Sequence, residues 1–99
     1  MKLNVEKNSE GLVLKVEGRI DTYTYEEFED ELMKCIDQAE FVRIDFTDVE
    51  FISSAGLRAL LNGQKQVDEE DKEMVVCNIN EIVESVFIST GFMNVLVVE

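Results

Sequence analysis

Within 99 residues, short runs that alternate apolar and polar side chains trade places with longer runs in which apolar residues recur every three or four positions. This switching period constrains the chain most, because a two-residue repeat and a 3.6-residue repeat cannot be satisfied by the same backbone. Leu3 and Val5, then Leu12, Leu14 and Val16, alternate around an Asn8-to-Gly11 turn cluster and read as a hairpin. Phe28, Leu32, Cys35, Ile36 and Ala39 follow helical spacing, with Thr24 and Glu27 placed ahead of them as a capping box. Phe41 to Phe46 is too short for a helix and suits a strand buried on both faces.

A second helix, from about Ser54 to about Asp68, carries Leu57, Leu60, Leu61 and Val67 and gives way to a charged loop over 68–73. Met74 to Cys77 is another short apolar run, and Asn78 with Glu81 makes a second capping box ahead of Ile82, Val83, Val86 and Phe87. Thr90-Gly91 stops that helix, and Val95 to Val98 reads as a last strand. The order ββαβαβαβ predicts an α/β fold: a mixed, mostly parallel sheet of about five strands, three helices packed on it and right-handed crossovers. No proline, repeat or linker interrupts the pattern, so residues 1–99 read as a single domain.

Chemistry is narrowed by what is missing. There is no histidine, which excludes the usual zinc sites and any His-activated nucleophile. The two cysteines, Cys35 and Cys77, sit in apolar periodic segments and read as buried free thiols, as a reducing cytoplasm permits. A net charge of −13, from 22 acidic and 9 basic residues, repels nucleic acid and anionic membranes. No apolar run is long enough to span a bilayer, and a soluble protein is the expected partner.

In open α/β sheets function collects beyond the carboxyl ends of the strands. Three loops there are expected to share one edge: Asp21, Thr22 and Thr24; Thr47, Asp48, Ser53 and Ser54; and Asn78 with Asn80. Ser53 and Ser54 stand where the second helix begins and have two readings. One is an N-cap, a hydroxyl oxygen accepting a free backbone N–H; the other is a regulated hydroxyl whose phosphate would meet the helix N-terminus. Asp21, Asp45 and Asp48 could gather around Mg²⁺ or simply be solvated. Arg58, in the first helical turn, is either a surface side chain or a reach toward a partner carboxylate. Glu26, Glu27, Glu29, Asp30 and Glu31 form a solvated face or a dock for a basic patch.

Asp45-Phe-Thr-Asp-Val-Glu-Phe-Ile-Ser-Ser-Ala-Gly-Leu-Arg58, together with Gly18-x-Ile20-Asp21 and Thr90-Gly91-Phe92, resembles the anti-sigma factor antagonists, the STAS-domain proteins of bacteria. The resemblance covers essentially the whole chain. It implies a STAS-like fold and a cytoplasmic, non-enzymatic regulator that needs no cofactor or metal. In the family, the serine two residues before Gly-Leu accepts phosphate from the cognate anti-sigma factor, an ATP-dependent serine kinase; here that position is Ser54, with Ser53 the second candidate. Unphosphorylated, such a protein binds the anti-sigma factor and frees the sigma factor; a PP2C-type phosphatase restores it after phosphorylation. The partner-binding residues implied are Asp21, Thr22, Thr24, Thr47, Asp48, Ser53, Ser54, Gly56, Leu57 and Arg58, and a monomer suffices. Many members carry Asp where this chain has Ser53. The alternative within the same resemblance is a non-phosphorylated scaffold or transport-accessory subunit of a larger complex, with Ser54 only a cap.

Overall fold

Asn8 folds the chain back on itself. Its Oδ1 accepts from the amides of Glu10 and Gly11 at 2.9 and 3.0 Å, and its own amide donates to the Gly11 carbonyl at 2.9 Å. In the computed structural model, which describes residues 1–99, this turn pairs β1 (Lys2–Lys7) antiparallel with β2 (Leu12–Ile20). Thereafter the crossovers are helical: α1 (Tyr25–Gln38), β3 (Phe41–Ile52), α2 (Ser54–Glu69), β4 (Glu73–Cys77) and α3 (Glu81–Thr90). β2, β3 and β4 run parallel, and the sheet order is β1-β2-β3-β4.

Alternation decides which face is covered. Leu12, Leu14, Val16 and Ile20 of β2, Val42, Ile44 and Phe46 of β3, and Met74 and Val76 of β4 join one core with Phe28, Leu32, Cys35 and Ile36 of α1, Leu57, Leu60 and Val67 of α2, and Val83 and Phe87 of α3. Phe28 and Phe46 meet edge-to-face, their centroids 6.5 Å apart. Gly63 marks the close approach of α1 and α2, where a Cβ would stand 2.6 Å from Leu32 Cδ2. Lys15, Glu17 and Thr47 point away from this core and are exposed.

Three expectations are corrected. β3 does not end at Phe46 but continues to Ile52, so the presumed acidic loop is strand. Two irregularities in its pairing with β2, between Lys15 and Glu17 and between Gly18 and Arg19, insert extra β3 residues and break the two-residue repeat. Buried positions then fall at Phe46, Val49 and Ile52, a spacing that imitates a non-strand segment. Gly18, at the second irregularity, adopts a positive φ of 108°.

The expected fifth strand is the second correction. Gly91 caps α3 in the left-handed region at φ 80° as expected, but a 3₁₀ turn over Phe92–Asn94 follows it. The sheet therefore has four strands, and the tail contributes one isolated parallel bridge between Val76 and Val98. Only Leu96 of that tail is buried, too little apolar contact to extend a ladder.

Both capping boxes are the third. Thr24 stands at the α1 N-cap without a side-chain cap bond, because its hydroxyl is engaged in the preceding turn. α3 is capped by Asn80 rather than Asn78; Asn80 Oδ1 accepts from the Val83 amide at 2.8 Å while its Nδ2 donates to the Val49 carbonyl at 3.0 Å. Asn78 adopts φ 60° and donates to Asp45 Oδ1 at 3.0 Å.

Candidate functional site

The ends of β2 and β3 meet at Ile20 and Ile52, which are register partners. One residue further on, the Ser53 amide donates to the Ile20 carbonyl at 2.8 Å, so the turn after β2 and the start of α2 are locked side by side. That places Asp21, Thr22, Thr24, Ser53, Ser54, Gly56, Leu57 and Arg58 on one edge of the domain.

The β2–α1 turn is rigid. Asp21 Oδ1 accepts from the amides of Tyr23 and Thr24 at 2.9 and 3.2 Å, and Thr24 Oγ1 accepts from the Asp21 amide at 2.9 Å and donates to the Arg19 carbonyl at 2.8 Å. The Tyr23 amide first, then Thr24 and the charge of Arg19, hold the Asp21 carboxyl below the usual carboxylate range despite some desolvation. Thr22 is exposed, and Tyr23 is 95% exposed at the tip of the turn. Tyr23 was missed by reading the sequence, since no periodicity marks a residue in a turn; its signal is an aromatic placed where nothing can bury it.

The two serines divide their work. Ser53 is the N-cap, extended at φ −91° and ψ 176°, and its oxygen accepts from the Gly56 amide at a long 3.4 Å. Ser54 is the first residue of α2, exposed, and its hydroxyl makes no hydrogen bond within the chain. Gly56 is required by packing: a Cβ there would stand 2.6 Å from Ile52 Cγ1, 2.7 Å from Ile20 Cγ2 and 3.1 Å from the Ile20 carbonyl oxygen. Leu57 is buried beneath the turn and Arg58 is exposed one turn beyond Ser54. Arg58 forms none of the salt bridges of the chain, and Arg19 stacks on the Phe51 ring at 4.9 Å.

Thr47 and Asp48 are not part of this edge. They lie within β3, with Asp48 opposite Glu17, separated from Ser53 by Val49–Ile52. Thr47 is turned to Asp45, donating from Oγ1 at 2.6 Å and from its amide at 2.9 Å. β4 ends opposite Asp45, so Asn78 is also set back from the serines. Asp21, Asp45 and Asp48 do not converge, and no three carboxylates or thiols of the chain gather as metal ligands. None of the surface depressions is lined by Ser53 or Ser54.

Comparison with known proteins bears on the family and the fold. The family model described as STAS domain matches residues 2–98. A protein of Bordetella bronchiseptica bearing the name anti-sigma factor antagonist BtrV is 33% identical over 96 residues, spanning 96% of this chain and 83% of its own length. A crystal structure of an anti-sigma factor antagonist from Mycobacterium paratuberculosis superposes with a TM-score of 0.88 at 23% identity, covering 98% of this chain and 83% of that one. The Bacillus cell fate determinant SpoIIAA, solved in its phosphorylated form, superposes with a TM-score of 0.74 at 16% identity, covering 99% and 91%.

Proposed function

We propose that this chain, which belongs to the STAS domain family, is an anti-sigma factor antagonist: a cytoplasmic protein that binds an anti-sigma factor serine kinase and so frees a sigma factor. Phosphoryl transfer switches it off. The Ser54 oxygen takes the γ-phosphoryl group of ATP bound to the kinase, ADP leaves, and the hydroxyl proton is lost to the kinase active site. A PP2C-type phosphatase returns the hydroxyl by hydrolysis.

The observation that carries this reading is the unequal state of the two serines. Ser53 is spent on the cap, whereas Ser54 is exposed and unbonded at the helix start. A phosphate there adds about −1.5 to −2 charges to an edge that already holds the ionised Asp21. The helix N-terminus tolerates that charge, while a close-packed interface built around the neutral hydroxyl does not. The name of the Bordetella relative and the phosphorylated Bacillus neighbour support the reading.

Incubation with ATP and the serine kinase encoded beside the gene, followed by peptide mass mapping, tests it. Phosphate on Ser54 that persists in Ser53→Ala and disappears in Ser54→Ala is expected. Transfer to Ser53 instead would move the switch to the cap, and no transfer from any cognate kinase would leave a fixed scaffold as the better reading.

A further inference from the structure

The proposed switch leaves open what a phosphoryl group on Ser54 would meet inside this molecule. α2 begins differently from its neighbours: α1 carries Glu26 and Glu27 in its first turn and α3 carries Glu81 and Glu84, whereas α2 carries no acid there. Its first charged residue is Arg58, one turn on from Ser54, a cation still early in a helix where the dipole disfavours it. Ser54 and Arg58 are both exposed and four residues apart on α2, so they occupy adjacent turns of one helix face. Side chains so spaced stand about 5–6 Å apart at Cβ, within reach of a guanidinium. Arg58 is uncommitted, for it joins no ion pair, while the other arginine of this edge, Arg19, lies against Phe51. The Tyr25 phenol on α1, pushed up chiefly by its hydrogen bond to Glu26, is drawn down by the Arg58 charge.

Resting on the assignment of Ser54 as the acceptor, we infer that Arg58 is the internal counter-ion of the phosphoserine. The planar fork of Arg58 donates to two phosphate oxygens and holds the group over the start of α2, where the free amides face it. The pair offsets the repulsion from Asp21 and makes the phosphorylated form a stable state of the isolated protein. The phosphate is thereby folded onto the edge that a partner would otherwise contact.

The test installs phosphoserine at position 54 during synthesis, in the full chain and in Arg58→Gln, so that no kinase is needed. Phosphorus NMR then follows the second phosphate ionisation across pH. Asp21 and Arg19 at the end of β2, and Glu26 and Glu29 beside the neutral Tyr25 phenol on α1, are the other charged groups of this edge and are common to both proteins. The expected midpoint is about half a pH unit lower with Arg58 than with Gln, roughly threefold in the ionisation constant, with Arg58→Lys in between. Unphosphorylated Arg58→Gln should melt with the parent, which separates a phosphate contact from a structural role. Equal midpoints in the three phosphoproteins overturn the inference even if a kinase is shown to modify Ser54; absence of enzymatic transfer to Ser54 counts against the proposed switch and leaves this contact measurable.

Discussion

The Ser53 amide donates to the Ile20 carbonyl at 2.8 Å, so the residue that caps α2 also closes the β2–β3 ladder. Ser53 is therefore structural through both its backbone and its hydroxyl, and Ser54, one residue on, is free of both duties. Ser53→Ala keeps the ladder bond and loses the cap, whose 3.4 Å length places it at the weak end of such contacts. It should cost about 0.5–1 kcal/mol in urea unfolding. Ser54→Ala should stay within about 0.5 kcal/mol of the parent. A large loss in Ser54→Ala would mean that its hydroxyl is bonded in solution.

Gly56 sets how closely α2 approaches the sheet. A methyl group would press on Ile20 and Ile52 at 2.7 and 2.6 Å and on the Ile20 carbonyl oxygen, which cannot rotate away. Overpacking of this kind costs about 1–3 kcal/mol, and the better helix propensity of alanine returns about 1 of it. Gly56→Ala should therefore unfold at lower urea, by up to about 2 kcal/mol. Gly63→Ala, which meets the side-chain ends of Leu32 and Met74 and no backbone atom, should cost less.

Sequence periodicity identified the hairpin, all three helices and the parallel β2–β3–β4 core, because each is set by a repeat that local burial enforces. It failed where a register irregularity changed the repeat: the bulges opposite Lys15–Arg19 disguised the second half of β3 as a loop. That error also drew Thr47 and Asp48 toward the serines, although the extended strand sets them apart. The tail shows the converse limit. Val95, Val97 and Val98 look like a strand by composition, but a ladder needs partner backbone along its length, and the tail pairs at Val76 alone. Capping was legible by type and not by residue, since Asn78 and Asn80 both suit a cap and only tertiary contacts with Asp45 and Val49 assign them.

Asp21 makes the site sensitive to acid. Its folded pKa is depressed, chiefly by the Tyr23 amide, so its contribution to stability is complete above the unfolded value near 4. It is lost as pH falls from there through the lower folded value, because the unfolded chain binds the proton first. Asp21→Asn retains an oxygen acceptor for the Tyr23 and Thr24 amides and removes the ionisation. Melting temperatures of parent and variant should differ most above pH 4 and converge below it. A gap that widened on acidification would contradict the assignment.

Tyr23 is the exposed aromatic side chain of this edge: 95% exposed, at the tip of a turn pinned by hydrogen bonds between Asp21, Thr24 and Arg19. A rigidly presented aromatic loses little backbone entropy on docking, and aromatic anchors dominate the binding energy of protein interfaces. If the edge beside Ser54 contacts the anti-sigma factor, Tyr23→Ala should weaken that complex at least tenfold, about 1.4 kcal/mol, in calorimetry. Its melting temperature should not move, since the side chain touches almost nothing in the free protein. Tyr23→Phe separates the contributions: retained affinity would assign the contact to the ring, and a loss equal to that of alanine would assign it to the hydroxyl. Full affinity in Tyr23→Ala, alongside a loss in Ser54→Asp, would confine the interface to the α2 side of the edge.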